Sequence, residues 1–174
     1  GVTYCATCDA PLYAGKDVAV VGGGNSGLEA VLQLMAIARS ISLINITDDL
    51  TGDPILREKV RASDKVKIYN TAQVTEITGS QMVEEIIVDV AGEKRAIPVS
   101  GVFVEIGLVP NSEFVQGIEK NRWGEIIVNN RNETNLPFVF AAGDVTDVPE
   151  KQIIIAAGEG SKALLSAYRY LARL

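Results

Sequence analysis

Residues Asp17 to Ala30 read DVAVVGGGNSGLEA, and this stretch predicts the fold of the chain around it. Five residues with strand character, Asp17–Val21, run directly into the glycines, and a helical pattern follows from Leu28. A G-x-G-x-x-G turn between a strand and a helix is the sequence context of a dinucleotide-binding site. The alternative is a glycine-rich turn that binds nothing. We favour nucleotide binding because both flanks of the turn match the motif.

Each glycine of this turn has a predicted task. Gly22 permits the tight turn, Gly24 lets the backbone approach a pyrophosphate, and Gly27 lets helix and strand pack closely. The pyrophosphate would lie on backbone N–H groups at the helix N-terminus, where the helix dipole favours negative charge. The predicted nucleotide-binding residues of this segment are Gly22, Gly24, Asn25, Ser26, Gly27 and Glu29.

The overall composition limits the classes of function. The 174 residues are 47% hydrophobic and 22% charged, which is typical of a globular protein. A net charge of −6 argues against nucleic acid or an anionic membrane surface as a partner. We expect a cytoplasmic protein, since no apolar run reaches the length of a membrane span and no signal peptide opens the chain. The absence of histidine excludes Ser-His-Asp triads, Cys-His dyads and His-bound metals.

The hydrophobic pattern predicts an α/β fold, in which a Rossmann-like domain with a parallel sheet contains an inserted antiparallel β-meander. The expected elements after the first strand are a helix over Ser26–Arg39, a strand over Ile41–Ile46, a helix from Pro54, a strand over Val66–Tyr69, meander strands at Val74–Glu76, Val83–Val90 and Arg95–Val99, and a buried strand over Gly101–Ile106.

A second, smaller segment follows a linker at Gly107–Asn111. Its predicted elements are a strand at Glu125–Val128, a buried strand at Phe138–Ala142 and a last helix from about Glu150. We therefore expect two domains, residues 1–110 and 111–174, with the second an incomplete α/β segment.

Cys5 and Cys8 are the only cysteines and form a Cys-x-x-Cys motif. Zinc needs four ligands, so a zinc site here would require carboxylates or a second chain, as in a zinc-linked homodimer. We predict no metal and favour redox chemistry, because a helix N-terminus and a second thiol stabilise the reactive thiolate. The alternative for the pair is two small buried hydrophobic residues. Asp9 could act as an acid/base, and its alternative role is a helix N-cap.

Four stretches of the sequence carry a resemblance to a known family. They are Gly1–Asp9, Val20–Gly27, Phe138–Asp144 and Lys151–Gly160. In this order they resemble the thioredoxin-reductase-like pyridine nucleotide-disulfide oxidoreductases, and within them the branch of alkyl hydroperoxide reductase flavoprotein subunits. The resemblance implies an enzyme that passes electrons from NAD(P)H to FAD, then to the Cys-x-x-Cys disulfide, then to a partner disulfide.

The resemblance also implies roles for single residues. Cys8 would face the flavin, Cys5 would attack the partner, and Asp9 would be the acid/base. The partner would be a thioredoxin, a glutaredoxin-like protein or a peroxiredoxin, and the complete protein would be a homodimer. Matching cofactor positions are Gly143 and Asp144 at the FAD ribityl chain, Lys151, Gln152 and Ile153 beside the flavin ring, and Ile106 and Gly107 against the nicotinamide nucleotide.

One part of the family pattern is missing. In this family the FAD domain is built from two segments, and the first carries a second G-x-G-x-x-G. This sequence contains no second fingerprint, so Gly107 onward resembles half of a FAD domain. We expect a fragment, the alternatives being a partner chain that supplies the other half and a protein that has lost FAD. Alone, the chain is expected to bind FAD poorly or not at all.

The loop after the second strand favours NADH over NADPH. Asn45 stands near the strand end, where an acidic residue usually binds the ribose hydroxyls, and it can still form those hydrogen bonds. Asp48 and Asp49 would repel a 2′-phosphate, and no arginine occurs in the loop before Arg57. The alternative is that both aspartates only cap and solubilise the loop. The main hypothesis is a flavin-dependent disulfide reductase, and the alternative is a non-catalytic NAD(H)-binding module or sensor.

Overall fold

The structure is a computed structural model that describes all residues from Gly1 to Leu174. It divides into two compact units, Gly1–Gly107 and Leu108–Leu174, and the division falls within the linker predicted from the sequence. The assignment of the two parts to nucleotide and FAD binding remains a prediction. None of the helices has the length and hydrophobicity of a membrane-spanning segment.

The first unit contains a five-stranded parallel sheet and a three-stranded antiparallel sheet. Its strands are β1 (Val2–Thr3), β2 (Asp17–Val21), β3 (Ser40–Ile44), β4 (Val66–Tyr69), β5 (Ala72–Gly79), β6 (Val83–Val90), β7 (Glu93–Pro98) and β8 (Gly101–Val104), and its helices are α1 (Ala6–Asp9), α2 (Asn25–Met35) and α3 (Pro54–Arg61). The parallel strands lie in the order β1-β8-β2-β3-β4, and β5, β6 and β7 form the predicted meander. The predicted fold class is therefore confirmed.

The core of the first unit lies on both faces of the parallel sheet. Val18 and Val20 of β2 pack with Leu28, Val31 and Leu34 of α2, and all five side chains are buried. Alternate residues of the same strands pack towards the meander on the other face. Because the strands are parallel, their carboxyl ends meet at one edge of the sheet, where the glycine turn begins.

The structure confirms one predicted helix boundary and corrects another. Pro54 occupies the first turn of α3, and the Asp53 carboxylate accepts a hydrogen bond from the Ile55 amide at 2.8 Å, as expected for an N-cap. The sequence predicts that helix α2 reaches Arg39, but the helix ends at Met35. The chain turns there because Arg39 N donates to Lys16 O at 2.8 Å and Gly15 N donates to Ile37 O at 2.9 Å, which ties this segment to the entry of β2.

The second unit contains one helix, α4 (Ile153–Leu171), and otherwise irregular chain. The predicted strands at Glu125–Val128 and Phe138–Ala142 are wrong, since Ile126 and Phe140 form only isolated bridges. Asparagine side chains take the place of a strand ladder: Asn121 Oδ1 accepts from the amides of Trp123 and Glu125. Phe138, predicted to be buried, has a φ of +67° and is 62% exposed.

A surface ion pair at the entry of β2 gives the first testable prediction. Hydrogen bonds from Arg39 and Ser40 lower the pKa of Asp17 to about 2, from an ordinary value of 3.8. The stabilisation is therefore complete above about pH 4 and is lost as the pH falls towards 2. Because the Arg39 side chain is 69% exposed, we expect Asp17→Asn to lower the unfolding free energy by at most about 1 kcal/mol at neutral pH.

The measurement is urea denaturation at several pH values. The difference between the parent chain and Asp17→Asn should shrink below about pH 4 and be largely lost at pH 2. Asp64→Asn, an exposed aspartate without a salt bridge, is the matched control for loss of one negative charge. An unchanged difference from pH 7 to pH 2 would contradict the assignment.

Candidate nucleotide and disulfide site

The glycine turn lies at the carboxyl end of β2, and packing alone requires two of its glycines. Gly22 has a φ of +128°, and a Cβ there would come within 2.2 Å of the Glu105 carbonyl oxygen. A Cβ on Gly27 would lie 1.9 Å from the Gly22 carbonyl oxygen. The close contact of α2 with the turn, predicted from the motif, is therefore present in the structure.

Gly24 is different, because nothing inside the protein requires a glycine at this position. The only non-neighbouring atom within 4 Å of a Cβ here would be Thr51 Oγ1, at 3.9 Å. Its φ of −86° and ψ of −173° are also open to any residue. A side chain would instead fill the space in front of the N-terminus of α2. The absence of a side chain fits a group from outside the chain, such as a pyrophosphate, that approaches the backbone here.

The N-terminus of α2 offers hydrogen-bond donors to such a group. The first helical hydrogen bond runs from Leu28 N to Gly24 O at 3.0 Å, so the amides of Asn25, Ser26 and Gly27 have no acceptor within the helix. No side chain caps this end, and its first turn holds no acidic residue. Glu29 follows in the next turn and is exposed. This end of α2 can therefore bind an anion.

A second loop, Thr47–Asp53, is fastened onto the glycine turn. The amides of Thr51 and Gly52 both donate to the Gly23 carbonyl oxygen, at 2.9 and 3.2 Å, and Asp53 N donates to Asn25 Oδ1 at 2.7 Å. Sequence reasoning gave Gly23 no task, although it anchors this loop. The signal was the unbroken run of three glycines, of which the motif explains only two.

Asn45, predicted to bind the ribose hydroxyls, is 2% exposed. Its Nδ2 donates to Thr47 O at 3.1 Å and to Asn70 Oδ1 at 2.9 Å, while its Oδ1 accepts from Thr47 Oγ1 at 3.0 Å. A Cβ on Gly23 would lie 2.3 Å from this Oδ1, so Asn45 also explains why residue 23 is glycine. The amide of Asn45 thus shapes the loop, and its contact with a ribose remains a prediction.

The two aspartates of the loop have different surroundings. Asp49 forms salt bridges with Arg61 and, at 3.7 Å, with Arg57, and the hydrogen bond from Arg61 is the main cause that lowers the pKa of Asp49. Asp48 is exposed and forms no salt bridge. The sequence alone counts both charges, whereas in the structure the arginines that follow the loop offset the charge of Asp49. Of these two exposed aspartates, Asp48 is therefore the one whose charge no arginine offsets.

The cysteine pair lies at the N-terminus of the short helix α1. Cys5 and Cys8 form a disulfide, and Cys8 N donates to Cys5 Sγ at 3.1 Å. Cys5 occupies the N-cap position, so the predicted placement at a helix N-terminus is confirmed. The two residues are half-buried and exposed, respectively, which excludes the alternative of two buried hydrophobic residues. After reduction, the amide hydrogen bond would stabilise a thiolate on Cys5.

Asp9 lies half-buried between α1 and the short 3-10 helix Ala10–Tyr13. Its carboxylate accepts a hydrogen bond from Thr3 Oγ1, and Thr3 Oγ1 accepts one from Cys5 N at 3.3 Å. Asp9 occupies the N-cap position of the 3-10 helix but makes no capping hydrogen bond with its side chain. The Asp9 carboxylate therefore does not cap a helix. Its acid/base role remains a prediction.

Glu105 joins the glycine turn to the cysteine helix, and sequence reasoning missed it. Its carbonyl oxygen lies against Gly22, and its carboxyl group lies near the Ala6 amide at the start of α1. Burial raises the pKa of Glu105 above its ordinary 4.5, the Ala6 amide lowers it, and the nearby Glu29 raises it. The two predicted functional features of the first unit therefore share one residue.

We expect Glu105→Gln to make the chain more stable at pH 7. A raised pKa in the folded state means that folding favours the protonated carboxyl, so stability falls as the pH rises through and above 4.5. Glutamine keeps an acceptor for Ala6 and removes the charge. Thermal denaturation at pH 7 should show a higher Tm for the variant, and the gap should close near pH 4. Glu58→Gln, on the exposed side of α3, is the matched control.

Some of the predicted FAD residues are exposed to solvent, and one of them, Lys151, is held in a salt bridge. Gly143 has a φ of +80°, Asp144 is exposed, and Ile153, at the start of α4, is 88% exposed. Gln152 occupies the N-cap position of α4. The Lys151 ammonium is engaged within the second unit, because it pairs with Glu125 at 2.8 Å and donates to Thr146 O.

The two remaining predicted cofactor residues end the first unit. Ile106 is 72% exposed, and Gly107 has a φ of +98° with open space around its Cα. Both follow β8, whose carboxyl end lies at the same edge of the sheet as the glycine turn. Their predicted contact with a nicotinamide nucleotide is compatible with this position and remains a prediction.

Comparison with known proteins gives consistent matches over the chain. The family model for "Pyridine nucleotide-disulphide oxidoreductase" matches residues 1–160. The alkyl hydroperoxide reductase F subunit of Escherichia coli (strain K12) is 49% identical over 177 residues, covering 99% of this chain and 34% of that protein. An NADH dehydrogenase of Bacillus subtilis (strain 168) is 47% identical, covering 99% of this chain and 35% of its own length.

Solved structures give the same result for the fold. Thioredoxin reductase from Streptococcus pyogenes MGAS5005 superposes with a TM-score of 0.92 at 32% identity, over 100% of this chain and 58% of that one. Thioredoxin reductase from Giardia duodenalis superposes with a TM-score of 0.86 at 31% identity, over 99% of this chain and 58% of that one. The chain spans about one third of the length of the curated relatives it matches.

Proposed function

The chain belongs to the pyridine nucleotide-disulphide oxidoreductase family, and from this membership we propose that it is the nucleotide and disulfide part of a flavin-dependent disulfide reductase. Reducing equivalents from NADH would pass by way of FAD to the Cys5–Cys8 disulfide and then to a disulfide of a partner protein. One observation carries the proposal: a glycine turn that is open at Gly24 and a Cys-x-x-Cys disulfide lie in the same compact unit.

The contacts of the first unit support this assignment. The Glu105 peptide packs on Gly22, while the Glu105 side chain lies near the Ala6 amide of the cysteine helix. Thr7 Oγ1, between the cysteines, donates to Gln33 Oε1 of α2 at 3.1 Å. The helix that begins at the nucleotide cradle thus also supports the cysteine helix. A dinucleotide would be held by the amides of Asn25, Ser26 and Gly27.

The cysteine chemistry needs two electrons and two protons. Reduction of the Cys5–Cys8 bond gives two thiols, and the Cys5 thiolate then attacks one sulfur of the partner disulfide and expels the other as a thiolate. Cys8 attacks Cys5 Sγ, which re-forms the Cys5–Cys8 bond and releases the reduced partner with the two protons. Asp9 would take and return a proton beside this pair.

FAD would supply the two-electron link between NADH and the disulfide. In the second unit FAD would be held by Gly143, Asp144, Gln152 and Ile153. Ile106 and Gly107 would lie against the nicotinamide nucleotide. The Lys151 ammonium would stay in its salt bridge with Glu125 and would not contact FAD directly.

The electron acceptor is proposed to be a protein. Tyr4 and Leu12 are 73% and 68% exposed close to the cysteines in sequence, and such apolar side chains suit contact with a partner surface. Relatives of this chain are named as the F subunit of alkyl hydroperoxide reductase and as thioredoxin reductase, so we propose a peroxiredoxin, a thioredoxin or a glutaredoxin-like protein as the acceptor. We further propose that the complete protein is a homodimer.

The test counts thiols in a protein that carries these 174 residues and keeps FAD after desalting. Under anaerobic conditions NADH should release two thiols per chain, and the flavin-free protein should release none. Binding of NADH without thiol release in the flavin-loaded protein would overturn the reductase and favour a non-catalytic nucleotide-binding module.

The loop charge makes NADH the proposed reductant, and Asp48 is the residue to test. A 2′-phosphate near one exposed carboxylate is repelled by about 1–4 kcal/mol in a surface-like dielectric. We expect Asp48→Asn to raise the affinity for NADPH about fivefold or more, and to leave the affinity for NADH unchanged. Isothermal titration with both nucleotides measures the ratio, and Asp64→Asn is the control for net charge. Equal changes for both nucleotides would contradict the role of Asp48.

A further inference from the structure

A cavity in the second unit has no role in the proposed electron transfer. It opens to solvent and leaves about 30 Å³ for the centres of water-sized groups, which is room for a few such groups. Its lining residues are Arg131, Glu133, Ser166, Arg169, Tyr170 and Arg173.

One face of α4 builds most of the cavity wall. Arg169, Tyr170 and Arg173 lie three, four and seven residues after Ser166, so all four residues are on the same side of the helix. Tyr170 is held in place by edge contacts with Phe138, at 4.8 Å between ring centroids, and with Phe140. The donors on this face therefore project from a fixed helix.

The opposite wall is a tight turn, 129–133. Asn129 Oδ1 accepts from the amides of Arg131 and Glu133, at 2.8 and 3.1 Å. Asn132, fully buried, donates from Nδ2 to Glu159 Oε2 of α4 at 2.6 Å. The turn is thus tied to the helix, and Arg131 and Glu133 flank this attachment on either side. Both walls are fixed without a ligand.

The arginines of the cavity form no salt bridge within the chain. The chain has eight arginines, of which Arg39, Arg57, Arg61 and Arg95 form salt bridges and Arg122 stacks on Trp123. The three that remain, Arg131, Arg169 and Arg173, form no salt bridge, and all three line this cavity. In a chain of net charge −6, three arginines gathered without carboxylate partners indicate an anion from outside.

Ser166 gives a second, independent indication. The residue is 4% exposed and lines the cavity, and its buried hydroxyl has no hydrogen-bond partner. An unsatisfied buried hydroxyl costs free energy of about 1–3 kcal/mol, so such groups in native structures usually have a ligand or an ordered water as partner. Ser166 therefore places a hydroxyl without a partner in the wall of the cavity that the arginines line.

We propose that this cavity binds a phosphate dianion, HPO₄²⁻. The three guanidinium groups match the oxygens of a tetrahedral anion through charge-assisted hydrogen bonds, and Ser166 supplies one more donor. Glu133 opposes a plain anion, yet its carboxylate can accept the proton that HPO₄²⁻ still carries. The C-terminal end of α4 adds about half a negative charge, which three arginines outweigh.

The first test measures inorganic phosphate binding to the 174-residue chain by isothermal titration at about pH 8 and low salt. We expect saturable binding at about 1 mM or tighter. Arg169→Gln and Arg173→Gln should each weaken phosphate binding by about tenfold or more. Arg122→Gln, in the same unit but outside the cavity, should bind phosphate as the parent chain does.

Ser166→Ala separates ligand binding from folding. Removal of an unsatisfied hydroxyl should leave the Tm of the phosphate-free chain unchanged or higher, whereas the affinity for phosphate should fall by about threefold or more. A purely structural serine would show no loss of phosphate affinity.

Glu133 makes the proposal specific for phosphate. Sulfate has the same shape and charge but no proton to donate, so the parent chain should bind phosphate more tightly than sulfate. Glu133→Gln should remove that preference by raising sulfate affinity. Absence of saturable phosphate binding, or equal weakening in the Arg122→Gln control, would overturn the proposal, and equal affinities for phosphate and sulfate would overturn the role of Glu133.

Discussion

Replacing Cys8 by serine is expected to trap a partner protein on Cys5 through a disulfide that does not resolve. Reduced Cys5 can still attack, because its sulfur accepts a hydrogen bond from the backbone amide of residue 8. Serine at position 8 keeps this amide. The second step needs a thiol at position 8, held next to Cys5 by the turn of α1. Because an intramolecular step gains orders of magnitude in effective concentration, its loss should lengthen the life of the mixed disulfide at least about 1000-fold.

The experiment needs no flavin. The chain is reduced chemically, freed of reductant and mixed with an oxidised thioredoxin or peroxiredoxin, and the adduct is followed by mass spectrometry and non-reducing electrophoresis. The parent chain should turn over without a lasting adduct. Cys5→Ser is the matched control and should form little adduct. A stable adduct with Cys5→Ser and none with Cys8→Ser would reverse the proposed roles of the two cysteines.

Gly24→Ala is expected to abolish most dinucleotide binding while the fold is retained. A Cβ fits the protein here, since only Thr51 Oγ1 would lie within 4 Å, but it occupies the space a pyrophosphate needs. Loss of two charge-assisted hydrogen bonds, about 3 kcal/mol together, corresponds to about 100-fold in affinity. The change also replaces a good N-cap residue by a poor one, which costs about 0.5–1 kcal/mol of stability.

Titration with NADH and with ADP-ribose measures the effect, and circular dichroism confirms that the variant is folded. Gly160→Ala is the matched control, because residue 160 lies within α4 and a Cβ there meets no atom within 4 Å. It should leave NADH affinity unchanged and stabilise the helix by about 1 kcal/mol or less. If Gly24→Ala bound NADH as tightly as the parent chain does, the cradle would not be a nucleotide site.

The regular part of the fold could be predicted from the sequence because local pattern and tertiary structure agree there. Strands Asp17–Val21, Val66–Tyr69 and Val83–Val90 appear with the predicted bounds. Each combines β-branched or aromatic residues with clear turn signals, and burial on the sheet reinforces the same choice. The strand Val2–Thr3 could not be predicted, because two residues show no period and become a strand only by pairing with β8.

The rest of the site depends on contacts between residues distant in sequence. The salt bridge between Asp49 and Arg61 joins a loop to the end of α3, and the link from Glu105 to Ala6 spans most of the first unit. In the second unit the predicted strands at Glu125–Val128 and Phe138–Ala142 failed, because asparagine side chains supply acceptors that a neighbouring strand would otherwise provide. The secondary-structure propensities of single residues do not account for such side-chain partners.

The anchoring of the Thr47–Asp53 loop on one carbonyl oxygen has a consequence for evolution and for protein engineering. Thr51 and Gly52 attach to Gly23 through their main-chain amides, so the course of this loop does not depend on which side chain stands at position 48. If Asp48 sets the coenzyme preference as proposed, single substitutions at the loop tip would change that preference, in nature or by design, without disturbing the architecture beneath.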